Sequence, residues 1–355
     1  MAAEKITTAE LFELMNIHPV LDVRSPGEFK HAHIPGAYSL PLFTDDERKV
    51  VGTAYKQESR QIAIKHGLDF FGVKMKLMVE EVEALVKKQA AGSLKNTVIV
   101  HCWRGGMRSA AVAWLLDLYG FKVYLLTGGY KTYRQWANEQ FEKQYSFQVL
   151  GGYTGSGKTL VLHELKQRQQ PVIDLEKLAN HKGSAFGALG ESAQPSQEMF
   201  ENLLAKELHS ISGNSLNDAR IYLEDESQRI GLLNIPNALW QQMRKSPIQF
   251  FDVPFEDRLD YLTLAYGKFD KEKLVNAVIR IQKRLGGLET KNAIGFLLEN
   301  NQRECFRILL KYYDKWYSKG LYNRDNLSTL LNTIPCTTMD IRSMTNILIN
   351  ENAPV

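Results

Sequence analysis

The sequence predicts an α/β fold with two successive parallel-sheet units and a helical region after them, and three observations carry the prediction. First, the apolar runs Thr97–His101 and Lys122–Leu126 flank an alanine- and leucine-rich stretch, Ser109 to Tyr119, that closes at Gly120. Strand, helix and strand within about thirty residues make a right-handed crossover, which leaves the two strands parallel. Second, Phe147 to Leu150 is an apolar run leading straight into glycines and then into the helical stretch Leu160 to Gln167. Third, after the strand Ile248 to Val253 stops at Pro254, the period turns helical and strand signals nearly vanish.

Composition agrees. A chain of 355 residues exceeds what one hydrophobic core organises, so two or three domains are expected. Hydrophobic residues at 44% and charged residues at 24% exclude a collagen-like, disordered or disulfide-scaffold chain. Met1 to Met15 mixes Glu4, Lys5, Glu10 and Glu13 with apolar residues and lacks the basic start and apolar run of a signal peptide. The longest apolar stretches, such as Ala110 to Leu116, are far too short to cross a bilayer. A cytoplasmic protein with no membrane partner is expected. Cys102, Cys305 and Cys336 are an odd, sparse set without metal-type spacing, which fits a reducing compartment.

Taken in order, the first strand expected is Pro19 to Val23, ended by the turn residues Ser25-Pro26-Gly27. The crossover above follows, with Trp114 expected on a buried helix. Around Phe141 to Ser146 the pattern turns polar, and a new unit begins with Phe147; its further strands are Val172 to Leu175 and Arg220 to Glu224. The domains expected are therefore 1–145, 146–255 and 256–355. Charge is uneven across them. From Arg258 through Arg324 there are fourteen Lys and Arg against seven Asp and Glu, whereas the whole chain has a net charge of only +4. Tyr261, Tyr266, Phe269, Phe306, Tyr312, Tyr313, Trp316, Tyr317 and Tyr322 are interleaved with those cations, a mixture suited to neutralising phosphates and stacking bases. The same mixture also describes a helical core with a solvated basic face.

Two loops carry chemistry. His101-Cys102-Trp103-Arg104-Gly105-Gly106-Met107-Arg108-Ser109 joins a strand to a helix. A tight loop there turns backbone N–H groups inward, and the helix adds its positive end. Cys102, the candidate catalytic residue, would be held as thiolate by those donors and by Arg104 and Arg108, with Gly105 and Gly106 supplying backbone freedom. The segment Cys102, Trp103, Arg104, Gly105, Gly106, Met107 and Arg108 is thus a nucleophile facing an anion cradle.

Gly152-Tyr153-Thr154-Gly155-Ser156-Gly157-Lys158-Thr159 matches G-x4-G-K-[ST] without a mismatch, between a strand and a helix. Gly152, Gly155, Ser156 and Gly157 let the backbone wrap a di- or triphosphate, Lys158 reaches the terminal oxygens, and Thr159 can ligate Mg²⁺. Such a loop wants an acidic residue at a neighbouring strand end. Asp174 is one candidate, and Glu224-Asp225-Glu226 is another; each can equally be a helix cap or a solvated turn. The polar loop Asn180 to Gly187 follows Asp174 and can approach a substrate. No tightly bound cofactor is expected.

The cysteine loop resembles the active site of the rhodanese superfamily. The resemblance extends upstream to Leu21-Asp22-Val23-Arg24-Ser25-Pro26-Gly27-Glu28-Phe29 and His33-Ile34-Pro35-Gly36-Ala37, and covers roughly residues 5–140. It implies a rhodanese-like domain in which Cys102 carries sulfur or selenium, with Asp22, Arg24, Glu28 and His33 tying loops together. Cys102 and Arg108 are six apart, a C-x5-R spacing that also looks like rhodanese-related dual-specificity phosphatases, whose longer cradle fits a tetrahedral oxyanion. Joined to a P-loop domain and a basic helical tail, the whole chain is similar to the tRNA 2-selenouridine synthase family. What this resemblance implies is a transferase that geranylates the wobble 2-thiouridine of tRNA with geranyl diphosphate, then replaces the S-geranyl group with selenium from selenophosphate. Cys102 would take up selenium as a perselenide, the P-loop would stabilise departing diphosphate, and the third region would hold the anticodon arm of a tRNA bound by a monomer. Rival readings are an ATP-dependent tRNA sulfurtransferase, a C-x5-R phosphatase fused to a nucleotide-binding module, and a non-catalytic RNA-binding protein.

Overall fold

A computed structural model describes residues 3–89, 96–212 and 220–350. The chain forms two compact units, the first Met1–Gln140 together with Glu201–Lys206, the second Phe141–Phe200 and Glu207–Val355.

In the first unit, strands β1 (Glu4–Ile6), β2 (Val20–Asp22), β3 (Tyr38–Ser39), β4 (Thr97–His101) and β5 (Lys122–Leu126) make one sheet in the order β1-β5-β4-β2-β3. Every pair in it is parallel. The middle strand β4 is buried along its whole length, as its run of β-branched residues dictates. The helix Met107–Tyr119 returns the chain from β4 to β5 and buries Val112, Ala113, Leu115 and Leu116 against the sheet. Trp114, expected inside, is 56% exposed, because it sits on the opposite side of the helix from Val112 and Leu116. Three helices, Asp45–Gln57, Arg60–Gly72 and Met75–Gln89, fill the connection between β3 and β4.

In the second unit, β6 (Phe147–Gly152), β7 (Val172–Ile173), β8 (Ile221–Glu224), β11 (Ile248–Asp252) and β12 (Leu331–Pro335) form a second parallel sheet, ordered β12-β11-β6-β8-β7. The two-residue strands β9 (Arg229–Ile230) and β10 (Leu233–Asn234) make a separate antiparallel ribbon. Leu150, Val161, Leu162, Leu165, Tyr222 and Phe251 pack into the core on one face of this sheet. The helices from Phe255 to Tyr322 pack around a core of their own, with Leu259, Leu274, Val278, Leu297, Phe306 and Leu310 at its centre. The fold is thus α/β with two parallel sheets and a helical C-terminal region, as expected, but β12 returns from that region as an edge strand beside β11. Among the described residues no helix is long and apolar enough to cross a membrane.

Both sheets place the loops that carry chemistry at the carboxyl end of a central strand, where parallel α/β sheets open a crevice for ligands.

Candidate functional sites at two strand ends

Cys102 follows β4 and is 3% exposed. Its Sγ lies 3.2 Å from the Ser109 hydroxyl, whose oxygen is also 3.1 Å from the Gly106 carbonyl, so the single hydroxyl proton turns to the sulfur when the thiol ionises. Burial alone would push the thiol up. The Ser109 hydroxyl and the backbone amides of Ser109, Arg104 and Gly106 overcome it, and the thiol sits below its ordinary pKa. These donors belong to the first turn of the helix Met107–Tyr119 and the loop before it, so the same residues that start the helix stabilise the thiolate.

The loop is held from behind. The N–H groups of Tyr130 and Lys131 donate to the carbonyls of Cys102 and Trp103, both at 2.9 Å. Gly105 has φ +64°, and a Cβ there would lie 2.9 Å from the Leu126 carbonyl, so only glycine permits this approach. Arg108 donates to Glu28 at 2.8 Å; burial would raise the Glu28 carboxyl, but Arg108, the Ser25 amide and Arg48 hold it below the carboxylate range. Glu28 therefore orients the Arg108 guanidinium. Trp103, Arg104, Gly105, Gly106 and Met107 are exposed around the mouth.

Beneath the loop, Arg24 is fully buried, doubly bonded to Asp22 and stacked 3.8 Å over the Tyr130 ring. It also donates to the Ala32 carbonyl at 2.7 Å, and His33 bonds the Phe29 carbonyl at 2.9 Å. Burial keeps His101 neutral although the Asp22 carboxylate is 3.7 Å away. These residues tie loops together and leave Cys102 as the nucleophile of the loop.

In the second unit, Gly152, Gly155 and Gly157 adopt φ of +144°, +82° and +79°, which bends the chain from β6 into the helix Lys158–Gln167. Lys158 Nζ donates to the Gly152 carbonyl at 2.8 Å, and Ser156 is completely buried with no partner for its hydroxyl. The Thr159 hydroxyl donates to Glu224 at 2.6 Å and lies 3.4 Å from Glu176.

Glu224 ends β8, next to β6, as expected. It is accompanied by Glu226, a candidate from the same segment, and by Glu176, which sequence reasoning missed, and one oxygen of each of the three lies within 4.8 Å of the others. Burial and mutual repulsion push Glu176 and Glu226 up to about 8 and Glu224 well above the carboxylate range. Gly183, at φ +66°, brings the Asn180–Gly187 loop against them; a Cβ there would lie 2.8 Å from Glu226 and 3.2 Å from Glu176. Asp174 caps the helix Leu175–Ala179 through the Lys177 amide at 2.8 Å and bonds His163 at 3.1 Å. Asp225 turns away from the cluster to Tyr317, at 2.7 Å, and to Arg324. Alternation after a strand end separates these neighbours: Glu224 and Glu226 face one way and Asp225 the other.

The helix Gln302–Tyr322 braces the phosphate loop, a role with no local sequence signal. Its Tyr317 hydroxyl accepts from the Gly152 amide at 3.2 Å, and its Asp314 takes both guanidinium nitrogens of buried Arg258 at 2.9 Å. Arg258 in turn donates to the Thr154 carbonyl at 3.1 Å.

Comparisons with known proteins agree with both units. Residues 7–135 match the rhodanese-like domain family, and residues 145–331 match the tRNA 2-selenouridine synthase AAA domain. A tRNA 2-selenouridine synthase from a Sulfurovum species is 34% identical over 86% of this chain and 89% of its own length. One from Bdellovibrio bacteriovorus is 34% identical over the same shares of each chain. One from Nitrosomonas europaea is 38% identical over 68% of this chain and 62% of its own length. The chain belongs to the tRNA 2-selenouridine synthase family.

Proposed function

We propose that this chain makes 2-selenouridine in tRNA in two steps, geranylation of the wobble 2-thiouridine followed by replacement of the S-geranyl group with selenium, as a cytoplasmic monomer. The observation that carries the reading is the ring of donors around Cys102 in a chain that also holds a complete phosphate loop.

In the first step the thiouridine sulfur attacks C1 of geranyl diphosphate, the C–O bond breaks and diphosphate leaves. The glycine loop, Lys158 and the helix N-terminus supply fixed positive potential where that charge develops. The residues also fit a divalent cation: Glu224 has a buried oxygen without a partner, beside Glu176, Glu226 and Thr159. Bound there through Thr159 and these carboxylates, Mg²⁺ would neutralise diphosphate charge.

In the second step, selenium displaces geranyl thiol from C2. The thiol is a better leaving group than the parent sulfur, which explains why alkylation comes first. Electron count constrains the part of Cys102. Selenium in selenophosphate is at the selenide level, so a perselenide on Cys102 would require phosphorus to leave as phosphite. Attack of the thiolate at phosphorus balances without an oxidant: the P–Se bond breaks, HSe⁻ departs toward C2, and water later hydrolyses the phosphocysteine to release phosphate. The C-x5-R cradle, with Arg108 oriented by Glu28, suits a tetrahedral phosphoryl group. The test is the intact mass of protein treated with selenophosphate alone. An adduct at Cys102 without the selenium isotope pattern supports attack at phosphorus, an adduct with that pattern restores the perselenide, and no adduct in wild type removes Cys102 as a covalent participant.

A further inference from the structure

The helix Gln302–Tyr322 has two working faces. Tyr313, Asp314 and Tyr317 point inward, to the Ala185 amide, Arg258 and the Gly152 amide. The other face is exposed and carries Lys311, Lys315, Trp316, Lys319 and Tyr322. The cations of this region divide in the same way. Arg258, Lys273, Arg303, Arg307 and Arg324 are paired with carboxylates. Among the described residues, Lys268, Lys271, Arg280, Lys283, Arg284, Lys291, Lys311, Lys315 and Lys319 have no carboxylate within ion-pair distance, and Lys311, Lys315 and Lys319 share this exposed face with Arg284 beside it, which leaves the face cationic toward a polyanion.

At the centre of this face Trp316 is 40% exposed. The Arg284 guanidinium lies 5.7 Å and the Lys319 ammonium 5.2 Å from its ring, and the Tyr312 ring stands 6.3 Å away. Arg284 arrives from a different helix, Gln282–Leu285, so the arrangement is built by the tertiary fold rather than by spacing along one helix. An indole kept at the surface and flanked by unpaired cations is a platform for a flat ring in a chain of phosphates.

We propose that this face binds tRNA, with Trp316 stacking on an unpaired base and Lys315 and Lys319 on the flanking phosphates. The proposal rests on the tRNA reading above and assigns the surface that reading lacks. It also sets a distance. The inner side of the same helix braces the phosphate loop, so RNA on the outer side lies about one helix diameter, ~10–12 Å, from the diphosphate site.

The test uses the full chain and measures affinity for a tRNA with a free anticodon loop and for a blunt RNA duplex of equal length, across a salt series. Trp316→Ala should weaken the tRNA by roughly five- to a hundred-fold and the duplex little, with Trp316→Phe retaining most of the affinity. Lys315→Gln with Lys319→Gln should lower the salt slope by about 1.4–1.8 for both RNAs. Wild type that binds tRNA, with variants that bind it equally and with the same slope, overturns the surface assignment and leaves the tRNA reading intact. Equal loss on tRNA and duplex overturns the stacking role. Wild type that does not bind tRNA overturns both.

Discussion

Replacing Ser109 with alanine isolates what makes Cys102 a nucleophile. The serine hydroxyl lies 3.2 Å from Sγ inside a buried site, while the amides of Arg104, Gly106 and Ser109 itself remain in the variant. A hydrogen bond to a charged acceptor contributes about 1.5–3 kcal/mol, and 1.4 kcal/mol is a factor of ten in an equilibrium. The thiolate-to-thiol ratio at a given pH should fall about tenfold, at the low end of that range because the remaining amides tighten on the sulfur. The assay is the rate of iodoacetamide alkylation at Cys102 against pH, located by peptide mapping. The other cysteines do not interfere: burial pushes Cys305 up to about 12, and burial and Asp252 raise Cys336. Equal alkylation rates in the variant and wild type, with matching thermal melts, would refute the claim that the Ser109 hydroxyl holds the thiolate.

Three further outcomes follow from the second unit. Tyr317→Phe orphans the Gly152 amide and removes a partner from Asp225, so it should cost about 1–3 kcal/mol in denaturant unfolding and weaken diphosphate binding; unchanged unfolding would contradict the bracing role. Gly183→Ala should slow geranyl transfer more than it lowers affinity for tRNA, since its Cβ would press on Glu226 and Glu176; equal loss of both would contradict it. The raised carboxyls Glu176 and Glu226 favour the proton in the folded state, so their contribution to stability is full below the ordinary carboxylate pKa of 4.5 and is lost as pH rises toward about 8. Thermal melts between those limits should therefore fall with pH without divalent cation and recover with Mg²⁺, and Glu224→Gln should flatten the recovery.

Most of the fold was legible because its signals are local. The strands β2, β4, β5, β6 and β11 are apolar runs ended by turn residues, and the phosphate loop is a glycine pattern between a strand and a helix. Five strands gave no such signal, among them the two-residue β9 and β10 of the antiparallel ribbon. β1 is three residues, two of them exposed and charged, and β3 is a two-residue edge strand. β12 reads Leu331-Asn332-Thr333-Ile334-Pro335, with only Ile334 buried, and is recruited by pairing with β11. The sites divide the same way. Cys102, Lys158, Thr159 and Glu224 were named from their own segments. Glu176, Arg258 and Tyr317 were not, since their roles depend on what the fold brings beside them from segments up to 165 residues away. Asp225 shows the converse: proximity in sequence to Glu224 put it among the candidates, and backbone alternation sends it to Tyr317 and Arg324 instead.

The central claim is that one chain alkylates and then selenates the same sulfur-bearing base, with the phosphate loop serving the first step and Cys102 the second. Mass spectrometry of nucleosides from 2-thiouridine tRNA, incubated with geranyl diphosphate and with or without selenophosphate, tests it directly. Wild type should give S-geranyl-2-thiouridine without selenophosphate and 2-selenouridine with it. Cys102→Ala should stop at the geranylated base, and Lys158→Ala should yield little of either product. Selenation at the wild-type rate by Cys102→Ala, or geranylation at the wild-type rate by Lys158→Ala, would contradict the account.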